Sequence, residues 1–102
     1  MCTYDLSDDH KPDNEDEAMR IVEAGGEVES GRVNGKLGLS RAIGDLSYKR
    51  NQNLGPEEQI ITCVPDVTTR KRSSKDSFLI VACDGIWDCL SSHECSKLIH
   101  EF

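Results

Sequence analysis

The rhythm of apolar and polar positions changes several times along this chain. From Phe78 through Cys83 apolar residues run without alternation, which predicts a strand covered on both faces. Asp84-Gly85 then breaks the run, because Asp tolerates turns and Gly takes backbone angles that other residues avoid. Upstream, Ala18, Met19, Ile21 and Val22 recur at helical spacing, following a Lys11-Pro12 step that keeps Lys11 out of a helix. Asp13 or Asn14 is placed to cap this helix. The acidic residues that follow suit the positive end of its dipole, and Gly25-Gly26 closes it. At the far end, Ser91-Ser92-His93-Glu94 has the spacing of a capping box, and Cys95, Leu98, Ile99 and Phe102 give one apolar face of a terminal helix.

Short strand pieces are expected at Glu27–Glu29 and Arg32-Val33, with Asn34-Gly35 offering a hairpin turn before Lys36–Leu39. In Ser40–Asp45 the small residues permit close backbone approach, while Arg41 and Asp45 supply charges that pair with each other or with a ligand. A connecting stretch from Tyr48 through Gly55-Pro56 precedes an expected strand over Gln59–Val64, ended by Pro65, and another short one over Asp66–Thr69. Arg70–Lys75 is a basic loop with no interleaved aromatic residue, read either as a solvated hairpin tip or as a contact for phosphate.

Composition narrows the picture. A chain of 102 residues makes one small domain, and 36% apolar with 5% aromatic residues predicts a thin core and marginal stability in isolation. The net charge of -7 argues against nucleic-acid and membrane-surface partners. No apolar run approaches the roughly 20 residues that span a bilayer, and the N-terminus has no signal-peptide pattern. Five cysteines, mostly in strand-like or helical contexts, read as reduced thiols of a cytoplasmic or nuclear protein. Cys83, Cys89 and Cys95 are regularly spaced but cross a strand, a turn and a helix, which favours packing over metal binding.

The candidate chemistry lies at Asp84 and Asp88. One reading is a capped turn after a strand. The other is a cation site, since two neighbouring carboxylates repel unless a cation, a base or water intervenes, and strand ends are where ligands gather. Such hard donors suit magnesium or manganese, and no zinc-type Cys or His spacing is present. The acidic stretch Asp5–Glu17 is similar to an EF-hand only in charge, lacking the glycine and the spaced oxygen ligands of that loop.

Taken in order, the segments resemble the catalytic domain of the metal-dependent serine/threonine protein phosphatases of type 2C. Asp9-His10-Lys11-Pro12, Arg20-Ile21 with Ala24-Gly25-Gly26, Arg32-Val33-Asn34-Gly35, Leu39-Ser40-Arg41-Ala42-Ile43-Gly44-Asp45 with Tyr48-Lys49, Pro65-Asp66, and Asp76 through Asp88 stand as that family's consecutive blocks. The resemblance implies an α+β fold, here part of a four-layer α-β-β-α sandwich with two antiparallel sheets. Residues 1–102 would form a partial phosphatase domain lacking its N- and C-terminal parts, with a flap over about residues 14–35 and a metal-ligand strand and turn over 77–88. Asp84 would be a ligand of a pair of Mg2+ or Mn2+ ions, and Asp88 a ligand of a third, weaker position. Gly85 would permit a tight backbone approach there. Arg32 would belong to the flap and contact substrate. The implied partners are phosphorylated proteins, whose phosphoserine and phosphothreonine would be hydrolysed by a metal-activated water.

Departures from the family pattern set a second expectation. The upstream Asp-Gly-His-Gly block, the downstream Asp-Asn block and the phosphate-binding arginine of the first strand are absent, and His10, His93 and His100 do not stand in the missing context. No catalytic residue is therefore assigned, and the chain alone is expected to be inactive. The alternative is a non-catalytic remnant that binds phosphoproteins or another phosphatase.

Overall fold

Pro12 is buried, and its ring delays helix formation until Asn14, whose extended backbone opens helix α1 (Glu15–Glu23). In the computed structural model, which describes residues 1–102, this helix belongs to a unit formed by Asp9–Asp66. Met1–Asp8 and Val67–Phe102 form a second unit. Asn14 stands at the cap position, but its amide donates to the Asp9 carbonyl at 2.6 Å instead of accepting from the helix. Glu15, Asp16 and Glu17 complement the dipole at the N-terminal end. At the C-terminal end Gly25, with φ +93°, lets its N–H reach the Val22 carbonyl (3.0 Å) and the Gly26 N–H reach that of Ile21 (2.8 Å). That pair of bonds satisfies two orphan carbonyls.

The buried face of α1 consists of Glu17, Ile21 and Ala24, whereas Met19 and Val22 are exposed. Of the apolar face expected from Ala18, Met19, Ile21 and Val22, Ile21 is buried as expected, and the inward placing of Met19 and Val22 is corrected. The helix is rotated so that a carboxylate, not an apolar side chain, begins its inward stripe. After the helix, β1 (Val28–Glu29) pairs antiparallel with β2 (Arg32–Val33), in the register Val28 opposite Val33 and Glu29 opposite Arg32. Two left-handed pairs build this region. Ser30-Gly31 (φ +53° and +73°) forms the β1–β2 turn, and Asn34-Gly35 (φ +52° and +70°) returns the chain so that Val33 bridges Leu37. The Asn34-Gly35 turn was legible in the sequence. Ser30-Gly31 carries a weaker signal, because Ser is a less usual left-handed residue than Asn.

Ile21, Val33 and Ile61 form the fully buried apolar centre of this unit, with Val28, Leu37, Ala42, Tyr48 and Ile60 packed around it. The expected strand over Gln59–Val64 does not form. A 3-10 turn (Pro56–Glu58) leads into it, and its one ladder contact is a parallel bridge from Thr62 to Arg41, with the Ala42 N–H donating to the Thr62 carbonyl at 3.0 Å. Gln59 holds the turn, its amide donating to the carbonyls of Asn51 (2.8 Å) and Leu54 (3.0 Å).

The expected strand over Asp66–Thr69 and, in the second unit, that over Phe78–Cys83 are likewise absent. The run predicted to be covered on both faces is instead open, with Leu79 70% and Val81 86% exposed. Apolar strand residues become a strand only when neighbours satisfy their backbone groups, and nothing in the chain pairs with this run. Asp84–Trp87 is one helical turn, α2, and Ser92–Glu101 is α3. The capping box predicted for α3 is present: Ser91 Oγ accepts from the Glu94 N–H at 3.2 Å, and Glu94 Oε2 accepts from the Ser91 N–H at 2.8 Å. Of its expected apolar face Cys95 is buried, while Leu98, Ile99 and Phe102 are exposed. Ser91→Ala is expected to remove about 1 kcal/mol from α3, seen as faster amide exchange in residues 92–101 and unchanged exchange in 15–23. The fold is α+β, with a single two-stranded antiparallel sheet.

Candidate functional site

Asp84 and Asp88 occupy the two ends of α2. Cys83 precedes them in extended conformation (φ -89°, ψ 178°), and the Asp88 N–H donates to the Asp84 carbonyl at 2.8 Å, closing one helical turn. Four residues apart on a helix, the two carboxylates share a face. Both are exposed. Trp87 fixes the turn from behind, its indole N–H donating to the Ala82 carbonyl at 2.8 Å. Gly85 lies outside the left-handed region, and a Cβ there would meet only Cys83 Sγ at an ordinary 3.8 Å. Among this chain's own atoms nothing presses on it.

Hard divalent cations take about six or more oxygen ligands, and no cluster of three or more His, Cys, Asp or Glu side chains exists in the structure. Two exposed carboxylates on one turn do not hold a binuclear centre. Arg32, expected to contact substrate, is exposed on β2, and its Nη1 donates to the Lys36 carbonyl at 2.9 Å, bracing its own hairpin.

A denser constellation, not anticipated from the sequence, lies within the unit formed by residues 9–66. Glu17 is 2% exposed. Its Oε1 accepts from Ser40 Oγ and Arg41 Nε, each at 2.8 Å, and its Oε2 accepts from Arg41 Nη2 at 2.9 Å and Arg20 Nη1 at 3.0 Å. Arg41 therefore grips the carboxylate with two parallel bonds. Its remaining nitrogen, Nη1, donates to Asp66 Oδ1 at 2.9 Å and the Val64 carbonyl at 3.2 Å, while His10 Nε2 lies 2.8 Å from Asp66 Oδ2. Arg20 continues inward, donating to the carbonyls of Ser40 (2.6 Å) and Gln59 (3.1 Å).

The electrostatics follow from this arrangement. Burial opposes ionisation of Glu17, but the hydrogen bonds from Arg41, Ser40 and Arg20 outweigh it and hold the carboxyl down at about 2. The Glu17 carboxylate, helped by Asp66, pushes the Arg41 guanidinium further up. Arg41 and then His10 lower Asp66 from its ordinary value. The Ser40 hydroxyl donates to a carboxylate held by two arginines and meets the His10 backbone carbonyl at 3.2 Å, not its ring, so no base activates it. The network is a structural clasp joining α1, the Ser40-Arg41 segment and Val64–Asp66. Arg41 pairs with Glu17 and Asp66, not with Asp45. Asp45 instead heads the 3-10 turn Leu46–Tyr48 with φ +48°. The one available signal was register: Glu17 lies four residues before Ile21 and seven before Ala24, on the inward stripe of α1.

The family model described as Protein phosphatase 2C matches residues 3–102. The chain is 55% identical over 98 residues to "Probable protein phosphatase 2C 60" of Arabidopsis thaliana, covering 96% of this chain and 28% of that protein. It is 58% identical over 96 residues to "Protein phosphatase 2C homolog 2" of Saccharomyces cerevisiae, covering 93% of this chain and 21% of that one. A crystal structure of a phosphatase from a pathogenic strain of Toxoplasma gondii superposes with a TM-score of 0.60 at 56% identity, over 62% of this chain and 20% of its own length. The chain thus spans between about a fifth and 28% of these relatives' lengths. With matches of this identity running nearly end to end, the chain belongs to the protein phosphatase 2C family.

Proposed function

We propose that this chain forms part of a metal-dependent protein phosphatase that hydrolyses phosphoserine and phosphothreonine in protein substrates. The observation that carries the reading is the family match across residues 3–102, which includes the intact carboxylate pair Asp84 and Asp88 on an exposed turn. Residues 1–102 would be part of the phosphatase domain, the flap running over about 14–35 and the metal-ligand segment over 77–88. In this reading the open apolar run Phe78–Cys83 is a strand of a four-layer α-β-β-α sandwich, completed by sequence outside these 102 residues. Asp84 and Asp88 would contribute to sites for two Mg2+ or Mn2+ ions and a third, and Arg32 would meet substrate from the flap. When bound, the ions would supply an activated water as the nucleophile. The five cysteines, all free, suit a reducing compartment, cytoplasm or nucleus.

A non-catalytic phosphoprotein-binding role is the second reading, favoured by the absence of any third metal-ligating side chain near Asp84 and Asp88. A chimera separates the two. The 96 residues of this chain that match the yeast homolog 2 would replace the corresponding segment of that protein, and the product would be assayed with manganese and a phosphothreonine peptide beside the 102-residue chain alone. Turnover by the chimera, abolished by chelator, with none from the isolated chain, is the expected result. A folded but inactive chimera would sink the catalytic reading and leave the binding one.

A further inference from the structure

We infer that the turn Arg70–Lys75 is a docking element for acidic segments of protein partners. The chain carries a net charge of -7, yet four of its 12 Lys and Arg residues fall within these six positions. Arg70 is occupied locally: its Nη2 donates to Asp76 Oδ1 at 3.3 Å, and its guanidinium lies 4.0 Å over the Tyr4 ring. Lys71, Arg72 and Lys75 are exposed and enter none of the molecule's ion pairs.

The neighbouring acid that could neutralise them faces elsewhere. Asp76 Oδ1 receives Arg70, and Oδ2 accepts the Ser73 N–H at 2.8 Å. The Asp76 N–H returns to the Ser73 carbonyl at 3.1 Å, and the Lys75 N–H donates to Ser73 Oγ at 3.2 Å. Lys75 is therefore displayed on a hydrogen-bonded turn, with Lys71 and Arg72 in the exposed chain just before it, which lowers part of the ordering cost of binding. Three free cations match a short anionic stretch. They fall below the four to eight that hold a segment to an anionic membrane and the 6–10 phosphate contacts of a nucleic-acid site. No aromatic residue in the turn offers a platform for bases. The proposal deepens the phosphoprotein reading above, resting on it for the partner being a protein, and names acid-flanked segments as the class favoured.

Binding of labelled peptides to the 102-residue chain in EDTA, followed by fluorescence anisotropy, tests it without any turnover. The peptides would be one rich in Glu and Asp with unmodified Thr, a neutral one carrying phosphothreonine, and a neutral unmodified one. The acidic peptide should bind, and weaken several-fold between about 50 and about 300 mM salt as screening shortens the reach of the charges. K71E/R72E/K75E and the milder K71Q/R72Q/K75Q should each lose about tenfold in affinity, with circular dichroism unchanged, while R50E at an exposed site elsewhere should not. Unaltered affinity in both triple variants, or no binding of the acidic peptide, would overturn the inference. So would equal binding of the neutral phosphothreonine peptide, which would make phosphate alone the ligand, or tighter binding of an oligonucleotide. Because the chimera reads turnover and this experiment reads binding, the two readings fail separately.

Discussion

Glu17→Ala is expected to destabilise the unit formed by residues 9–66 by about 3–5 kcal/mol, the usual consequence of removing one partner from a buried ion pair. The variant would leave Arg20, Arg41 and Ser40 facing a space without an acceptor, in a unit whose fully buried apolar centre is only Ile21, Val33 and Ile61. Since small domains have only about 5–15 kcal/mol in total, a large share of the stability should be lost and the urea midpoint should fall markedly. Urea denaturation followed by circular dichroism and by amide exchange in residues 15–23 would measure it. A loss below about 1 kcal/mol would mean that the clasp is not holding α1. The same carboxylate predicts an acid limb. Its folded value of about 2 lies below the ordinary 4.5, so its contribution is complete above pH 4.5 and is lost as pH falls through 4.5 toward 2. Glu17→Gln should flatten that limb, whereas Asp66→Asn, at an exposed site, should barely alter it.

Asp84→Asn in the yeast chimera is expected to lower manganese-dependent turnover by more than about 100-fold. An amide is a poor ligand for a hard cation, and losing even an outer-shell partner of a metal ligand costs 10–100-fold. Asp88→Asn should cost less, and its defect should shrink as manganese is raised. Near-normal turnover in the first variant would remove Asp84 from the metal site. A defect in the second that added metal leaves unchanged would argue against a separate weak position. Calorimetric titration of manganese would give a readout independent of turnover, with Asp84→Asn lowering affinity under the same conditions.

The elements that formed as expected are those stabilised by neighbours in sequence. Gly25-Gly26, Asn34-Gly35 and Ser91 with Glu94 act within one or two turns of chain, so these caps, the hairpin turn and both longer helices were legible, whereas the expected side-chain cap from Asn14 did not form. The strands over Gln59–Val64, Asp66–Thr69 and Phe78–Cys83 failed because a strand is completed by hydrogen bonds to another segment. Apolar composition reports the tendency to be covered, not the presence of a cover. The family blocks, and with them the candidate carboxylates Asp84 and Asp88, were likewise readable directly. The clasp was not.

By itself, then, the order of residues determined the family, the helix limits, the left-handed Asn34-Gly35 turn and the basic stretch Arg70–Lys75. Tertiary structure alone decided that Glu17 faces inward, that Arg41 bridges it to Asp66 instead of pairing with Asp45, and that His10 joins 56 residues away in sequence. Charges attract any opposite neighbour at short range, and sequence spacing does not say which will be near. The choice is made by desolvation: once α1 packs through Ile21 and Ala24, Glu17 is carried out of water, and only a forked guanidinium with additional donors keeps it ionised there.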